Sequence, residues 1–288
     1  MDDAVEAVAI ATPPVTPSPG PRLPAGGQAR HDREADRCVG ARGPEQIIRA
    51  AAAVDRVVMC DHTYCYTPAV RYLADALAQG ALGRIHYLDS VRINLGLVQP
   101  DVSVLWDLAP HDLSILDFIL PGGLDVRTVA AHGADPLGAG QACVAYLTLG
   151  LACGAIAHVH VNWLSPIKVR TMMIGGSDKT LVWDDLNPTQ RVSVYDRGVD
   201  FHADASAELR HRSQISYRIG DVLAPALGER EALGAALEEF ADAIREHRAP
   251  ATDGGSGLRV LRLLEAASAS LGRGGATIAI DPTLENVA

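Results

Sequence analysis

The sequence has no run approaching the ~18 apolar residues that a membrane span needs, and it has no Cys-x-x-Cys pair. Met1-Asp2-Asp3-Ala4-Val5 puts no basic stretch ahead of an apolar core, so neither export nor insertion is expected. Five cysteines, Cys38, Cys60, Cys65, Cys143 and Cys153, form an odd set that fits neither a disulfide framework nor a zinc site, which points to the cytoplasm. Cationic side chains are scarce as well: 25 Lys and Arg stand against 35 Asp and Glu, a formal net charge of -10. Without a broad cationic surface the chain is not expected to bind nucleic acid or an anionic membrane, and a small neutral substrate suits it better. What the chain has is apolar residues, 48% of 288, enough to bury one large core or two modest ones.

Ala4 to Ala11 is a short apolar run stopped by Thr12-Pro13-Pro14, which reads as a buried strand ending in a turn. Six of the seventeen prolines then fall between Pro13 and Pro24, and residues 13–43 read as irregular. From Pro44 a helix and a buried strand Val57-Val58-Met59 are expected, followed by an amphipathic helix that opens at Pro68 and closes at Gly80 and Gly83. Another helix begins near Asp107. Between Arg84 and Gly220 the pattern changes to strands: 84–94, 127–133, 141–150, 151–163, 169–186 broken at Gly175-Gly176, and 190–195. Ala155, Ala157, Val159 and Val161 face one way while Ile156, His158, His160 and Asn162 face the other. The expected fold is α/β, then α+β: a partial Rossmann unit over residues 1–63, then over 64–288 an open, mainly antiparallel sheet of about six strands with helices on one face. Two helices close the chain, one around Leu233 to Ile244 and one around Val260 to Leu271.

Five stretches in order resemble the glucose-fructose oxidoreductase / inositol dehydrogenase / rhizopine-catabolism (Gfo/Idh/MocA) family. They are Val5 to Pro13 (VEAVAIATP), His62 to Tyr87 (HTYCYTPAVRYLADALAQGALGRIHY), Trp106 to Leu116 (WDLAPHDLSIL), Trp163 to Arg170 (WLSPIKVR) and Pro250 to Leu271 (PATDGGSGLRVLRLLEAASASL). The resemblance implies an NAD- or NADP-dependent oxidoreductase acting on a secondary hydroxyl of a sugar, nucleotide sugar or polyol, with the sheet joining two subunits. It also implies that Ala11, Thr12 and Pro13 form the turn at the nicotinamide ribose.

Two departures accompany the resemblance. No Gly-x-Gly-x-x-Gly lies between a strand and a helix, so the phosphate-binding turn of the family is not found and the nucleotide-binding half is expected to be incomplete. The family's Glu-Lys-Pro segment is not found either, and Glu34 stands where its lysine is expected. Yet codons exist for Gly26 to Arg37 that, read one nucleotide on, give Ala-Gly-Lys-His-Val-Met-Thr-Glu-Lys-Pro-Ile-Ala. A frameshift over about residues 17–38 is therefore expected, and so is weak catalysis by this chain, because that lysine stabilises developing negative charge in the family.

Oxidising an alcohol needs a base for the hydroxyl proton and a hydride acceptor at the same carbon. Asp107 and His111, four residues apart at a helix start, share one face, and an imidazole suits proton transfer near neutral pH. The resemblance makes His111 the acid/base and Asp107 its positioner; the alternative is that Asp107 caps the helix and His111 packs in its first turn. His62, Tyr64 and Tyr66 follow the expected strand at Met59, where α/β sheets place ligands. His62 is a candidate cofactor contact and the two tyrosines are candidate substrate contacts, or they simply pack on Pro68. By family analogy Arg92, Asn94 and Lys168 are candidate donors to sugar hydroxyls. No metal is expected: His158 and His160 share a strand face but have no third ligand at fixed spacing. Cys60 and Cys65 read as buried thiols. The other overall reading is a non-catalytic module that folds and at most dimerises through its sheet.

Overall fold

The computed structural model describes residues 42–99, 102–201 and 215–280. The candidate turn Ala11-Thr12-Pro13, the stretch 17–38 where a frameshift is expected, and Glu34 within it lie outside them.

Helix α1 (Arg42–Ala52) leads into an extended segment. The expected strand Val57-Val58-Met59 is reduced there to one antiparallel bridge between Met59 and Asp253. Beside it, Cys60 N–H donates to the Thr252 carbonyl at 2.8 Å. A 3-10 turn (Thr63–Tyr66) follows, then α2 (Pro68–Ala78), which starts where the sequence says it should. Thr67 caps it, its hydroxyl accepting from Val70 N–H at 3.3 Å, and Pro68 occupies the first turn, where no amide is needed.

The sheet has nine strands among the described residues, in the order β8-β7-β6-β5-β1-β4-β3-β2-β9. They are β1 (Ile85–Leu95), β2 (Val126–Ala134), β3 (Val144–Leu151), β4 (Ile156–Asn162), β5 (Leu164–Gly176), β6 (Thr180–Asp184), β7 (Val192–Phe201), β8 (Ile215–Leu223) and β9 (Ile278–Ala279). Only β1 and β4 run parallel; every other pair is antiparallel. The expected count of about six is too low for three physical reasons. The stretch 169–186 folds back on itself as β5 and β6, β8 pairs only with β7, and β9 is two residues long. Pro166 fits inside β5 because β6 pairs only with Thr171 to Gly175, which leaves the proline where no ladder amide is required.

Alternation sorts the strands into two faces. Ala157, Val159 and Val161 of β4, with Ala145, Leu147 and Leu149 of β3, are fully buried. Over them lie α3 (Val104–Ile119) and α5 (Gly254–Gly272). Most of α3 is buried, so it is a core helix and not an amphipathic surface one. Asp117 near its end ties it to α5, accepting from Arg259 Nε at 2.7 Å, Arg259 Nη2 at 2.9 Å and Ser256 Oγ at 2.7 Å. Helix α4 (Ala232–Glu246) covers the 3-10 turn through Ala235 and Ala236. No helix among the described residues lies on the other sheet face. Tyr146, Ile156 and Met173 are exposed there, and the Tyr146 ring stacks on His160 at 4.3 Å and on His158 at 6.1 Å.

Candidate active site

The start of α3 sets the chemistry. Ser103 is its N-cap residue, and Asp107 N–H bonds back to the Ser103 carbonyl at 3.1 Å. Asp107 is therefore a first-turn residue and not the cap, and its side chain is used elsewhere: Oδ2 accepts the indole N–H of Trp163 at 2.8 Å. One turn on, the half-buried His111 imidazole meets the ring of Tyr64 edge to face, centroids 5.1 Å apart. Its ring nitrogens make no hydrogen bond to another described residue, which leaves both available to a ligand.

Beneath that contact lies a buried ion pair. Asp112, one residue past His111, accepts from Arg92 Nε at 2.8 Å, Arg92 Nη2 at 3.2 Å and Ser90 Oγ at 2.8 Å. Arg92 and Asp112 are 2% and 1% exposed. Two-residue alternation along β1 carries Leu88, Ser90 and Arg92 to the helix-covered face, and a forked guanidinium there needs a carboxylate across from it. Arg92, expected from the sequence as a donor to sugar hydroxyls, is consequently buried in an ion pair under the site, and only its Nη1 is without a partner among the described residues. Its Cζ lies 4.5 Å from the centroid of the Tyr64 ring.

Arg170, directly opposite Arg92 in the β1/β5 register, brings a second guanidinium within 5.7 Å of Tyr64 and pairs with Asp185 at 3.3 Å. Trp183 of β6 closes the group, its ring 6.4 Å from Tyr64. Sequence reasoning passed over Arg170, Trp183 and Asp112. The signal for Arg170 was present, since it lies two residues past Lys168 in the WLSPIKVR stretch and so shares a strand face with it. Lys168 itself is exposed, and Asn94 is half-buried beside Gly96 and Trp163. Tyr66 is not in the cluster. It is 1% exposed, its hydroxyl pairs with Thr252 Oγ1 at 2.8 Å, and it packs with Ala235 and Ala236 of α4, whereas the alternative reading had the tyrosines packing on Pro68.

Burial sets the electrostatics. His111 is brought down to about 4, chiefly by desolvation and next by the Arg92 cation; Asp112 and Asp107 oppose, and His62 adds to the lowering. His62 is lowered by burial too, against the pull of Asp117 and Asp61, and its Nε2 is buried with no partner. Burial pushes the Cys65 thiol up to about 12 and Cys60 up to about 11, so neither supplies a thiolate nucleophile near neutral pH. Among the described residues no group of three His, Cys, Asp or Glu side chains is placed to hold a metal ion. No helix among them is long and apolar enough to cross a membrane.

The family model of the GFO/IDH/MocA C-terminal domain matches residues 70–182, a stretch that takes in most of α2 and all of β1, α3 and β2 to β5. Among curated relatives, the UDP-N-acetylglucosamine 3-dehydrogenase of Acidithiobacillus ferrooxidans is 29% identical over 233 residues, 79% of this chain and 64% of that protein. The chain thus spans just under two thirds of the curated relative it matches. A solved structure of the same dehydrogenase superposes with a TM-score of 0.66 at 25% identity, covering 82% of this chain and 69% of that one. An inositol dehydrogenase homolog from Azotobacter vinelandii, complexed with NADH and myo-inositol, shares the fold. Its TM-score is 0.66 at 19% identity, over 84% of this chain and 69% of that one. Asp107, His111, Asp112 and Arg92 all fall inside the stretch that the family model matches.

Proposed function

We propose that this chain supplies the substrate-binding and proton-transferring part of an oxidoreductase that acts with NAD or NADP on a secondary hydroxyl of a carbohydrate. A nucleotide sugar is the first choice of substrate, because the dehydrogenase with the 29% match acts on one. The observation that carries the reading is His111: an imidazole with no hydrogen bond of its own, one turn from a fixed carboxylate, inside a GFO/IDH/MocA domain.

His111 takes the hydroxyl proton. Held below its ordinary range, it is unprotonated and ready to accept at any pH from about 5 upward. The imidazolium that forms is stabilised by Asp107, whose carboxylate is kept in place by the Trp163 indole, and by Asp112. Tyr64 and Arg170, with Asn94 and Lys168 nearer the rim, orient the sugar oxygens. His62 would meet the nicotinamide end: a buried Nε2 with no partner is the kind of orphaned atom that a polar group of that cofactor satisfies. When bound, the nicotinamide supplies the hydride acceptor. The uncovered face of the sheet, with Tyr146, Ile156 and Met173 exposed on it, suits a second copy of this chain.

The test is NAD(P)H formation from UDP-N-acetylglucosamine and related sugars by the full chain and by His111→Gln. A slow wild-type rate that drops by about 10²-fold or more supports the reading. A second reading, a folded module with no catalysis, is favoured by one observation: the 288 residues contain no Gly-x-Gly-x-x-Gly. Fluorescence titration with NADH separates the two, since saturable binding by this chain contradicts the second reading and its absence supports it.

A further inference from the structure

The Arg92–Asp112 pair is an unusual thing to find beneath an open site. Two opposite charges at 2% and 1% exposure lose most of their hydration, and pairs of this kind are often no better for stability than apolar residues of the same shape. Ordinary packing would be served as well by a hydrophobic pair. The placement is also specific. Asp112 spends both oxygens on Arg92 and one of them on Ser90 as well, so Arg92 is fixed by two hydrogen bonds along its Nε–Nη2 edge. Its plane is then held 4.5 Å from the Tyr64 ring, and that same ring supports His111 at 5.1 Å.

We propose that Arg92 is a positioning residue that acts through Tyr64 and His111: clamped by Asp112 and Ser90, its guanidinium seats the tyrosine ring on which the imidazole rests and sets a fixed positive charge beside that imidazole. The inference rests on the reading of His111 as the proton acceptor. Its geometry stands apart from any turnover.

The consequence follows from the groups that face His111. From β1 comes Arg92, from α3 itself Asp107 and Asp112, from the 3-10 turn Tyr64, and from the segment before it His62. Arg92 and His62 oppose protonation, as burial does; the two carboxylates favour it. Remove the Arg92 charge and the balance tips toward the carboxylates, so His111 protonates at higher pH. An acceptor that is already protonated cannot take the substrate's proton. Arg92 therefore extends toward acid pH the range over which His111 is free to accept a proton.

The test is an NMR titration of the full chain with ¹³Cε1-labelled histidine, the His111 resonance assigned by its loss in His111→Gln. The wild type and Arg92→Lys are expected to keep His111 unprotonated at pH 5.5. Arg92→Gln is expected to shift its midpoint upward by about one pH unit, a tenfold change in the protonated fraction at fixed pH. Because Arg92→Gln leaves Asp112 buried without its partner and could unfold the protein, the double variant Arg92→Gln/Asp112→Asn is titrated alongside; with both charges gone it still lacks the larger, Arg92 effect, and an upward shift is expected there too. An unchanged His111 midpoint in the double variant, with only stability altered, would overturn the proposal and leave Arg92 a structural residue. Loss of NAD(P)H formation in every form of the protein, with the midpoint shifted as expected, would overturn the functional reading and leave the positioning role standing.

Discussion

The two faces of the central sheet are built from neighbouring residues of the same strands, and they do opposite things. On the helix-covered face, Leu147, Val159 and Met172 pack under α3 and α5, and Arg92 with Asp112, a charged pair in which both partners are buried, is hydrogen-bonded at every guanidinium nitrogen but Nη1. On the uncovered face, the next residues along, Tyr146, His160 and Met173, stack loosely or stand exposed. Pre-organisation is therefore concentrated on one side. A proton-transfer group can be held where surrounding side chains fix its orientation and its hydration, and α3 brings His111 to the rim of that ordered side. The opposite face has the composition of a surface awaiting cover.

Substitutions that pair one face against the other sharpen this contrast. The largest effect is expected from Asp112→Ala, which strands the Arg92 cation in the core and costs about 3–5 kcal/mol by urea unfolding. Asp89→Ala, on the exposed side of the same strand, should cost less than about 0.5 kcal/mol. Next comes a truncation of adjacent residues in β3: Leu147→Ala, fully buried, should lose about 2–5 kcal/mol, whereas Tyr146→Ala should lose about 1 kcal/mol at low protein concentration. If a second copy covers the open face, the Tyr146→Ala cost grows with protein concentration and the Leu147→Ala cost does not.

The third expectation concerns pH. His111 has a folded value near 4, below the 6.5 of the unfolded chain, so the unfolded state binds the proton first. The stability tied to this group is complete above pH 6.5 and is lost as pH falls toward 4, by an amount on the order of 2 kcal/mol after allowance for its partial exposure. The pH dependence of unfolding over that window should flatten in His111→Gln; an equal slope in both proteins would show that His111 is not a depressed group. The smallest effect is expected from Trp163→Phe. It removes the indole donor from Asp107 and should cost about 1 kcal/mol in stability while loosening Asp107, which is read as a lower NAD(P)H formation rate.

Parts of this were legible in the chain itself. The alternation of Ala155, Ala157, Val159 and Val161 against His158 and His160 marks the two faces of β4, and the Pro68 start and Gly80 stop mark α2, because side-chain period and backbone φ are local properties. The pair at Asp107 and His111 stood out through its WDLAPHDLSIL surroundings, since four-residue spacing by itself fits a capped helix start equally well. Strand β8 was not legible, because an edge strand paired on one side has little to bury: of the eight residues Ser216 to Leu223 six are exposed and none is fully buried. The burial of Arg92 was hidden for a different reason. Its face could be read from Leu88 and Ser90, but a buried arginine is credible only once its carboxylate is known, and Asp112 arrives from a helix twenty residues later. Tyr66 likewise depends on Thr252, which is distant in sequence.

The most direct measurement is a titration of the full chain with UDP-N-acetylglucosamine, followed through the histidine ring resonances. The account predicts a saturable shift at His111 while His158 and His160, on the open face, stay where they are. Movement of the open-face histidines with His111 unmoved would contradict it.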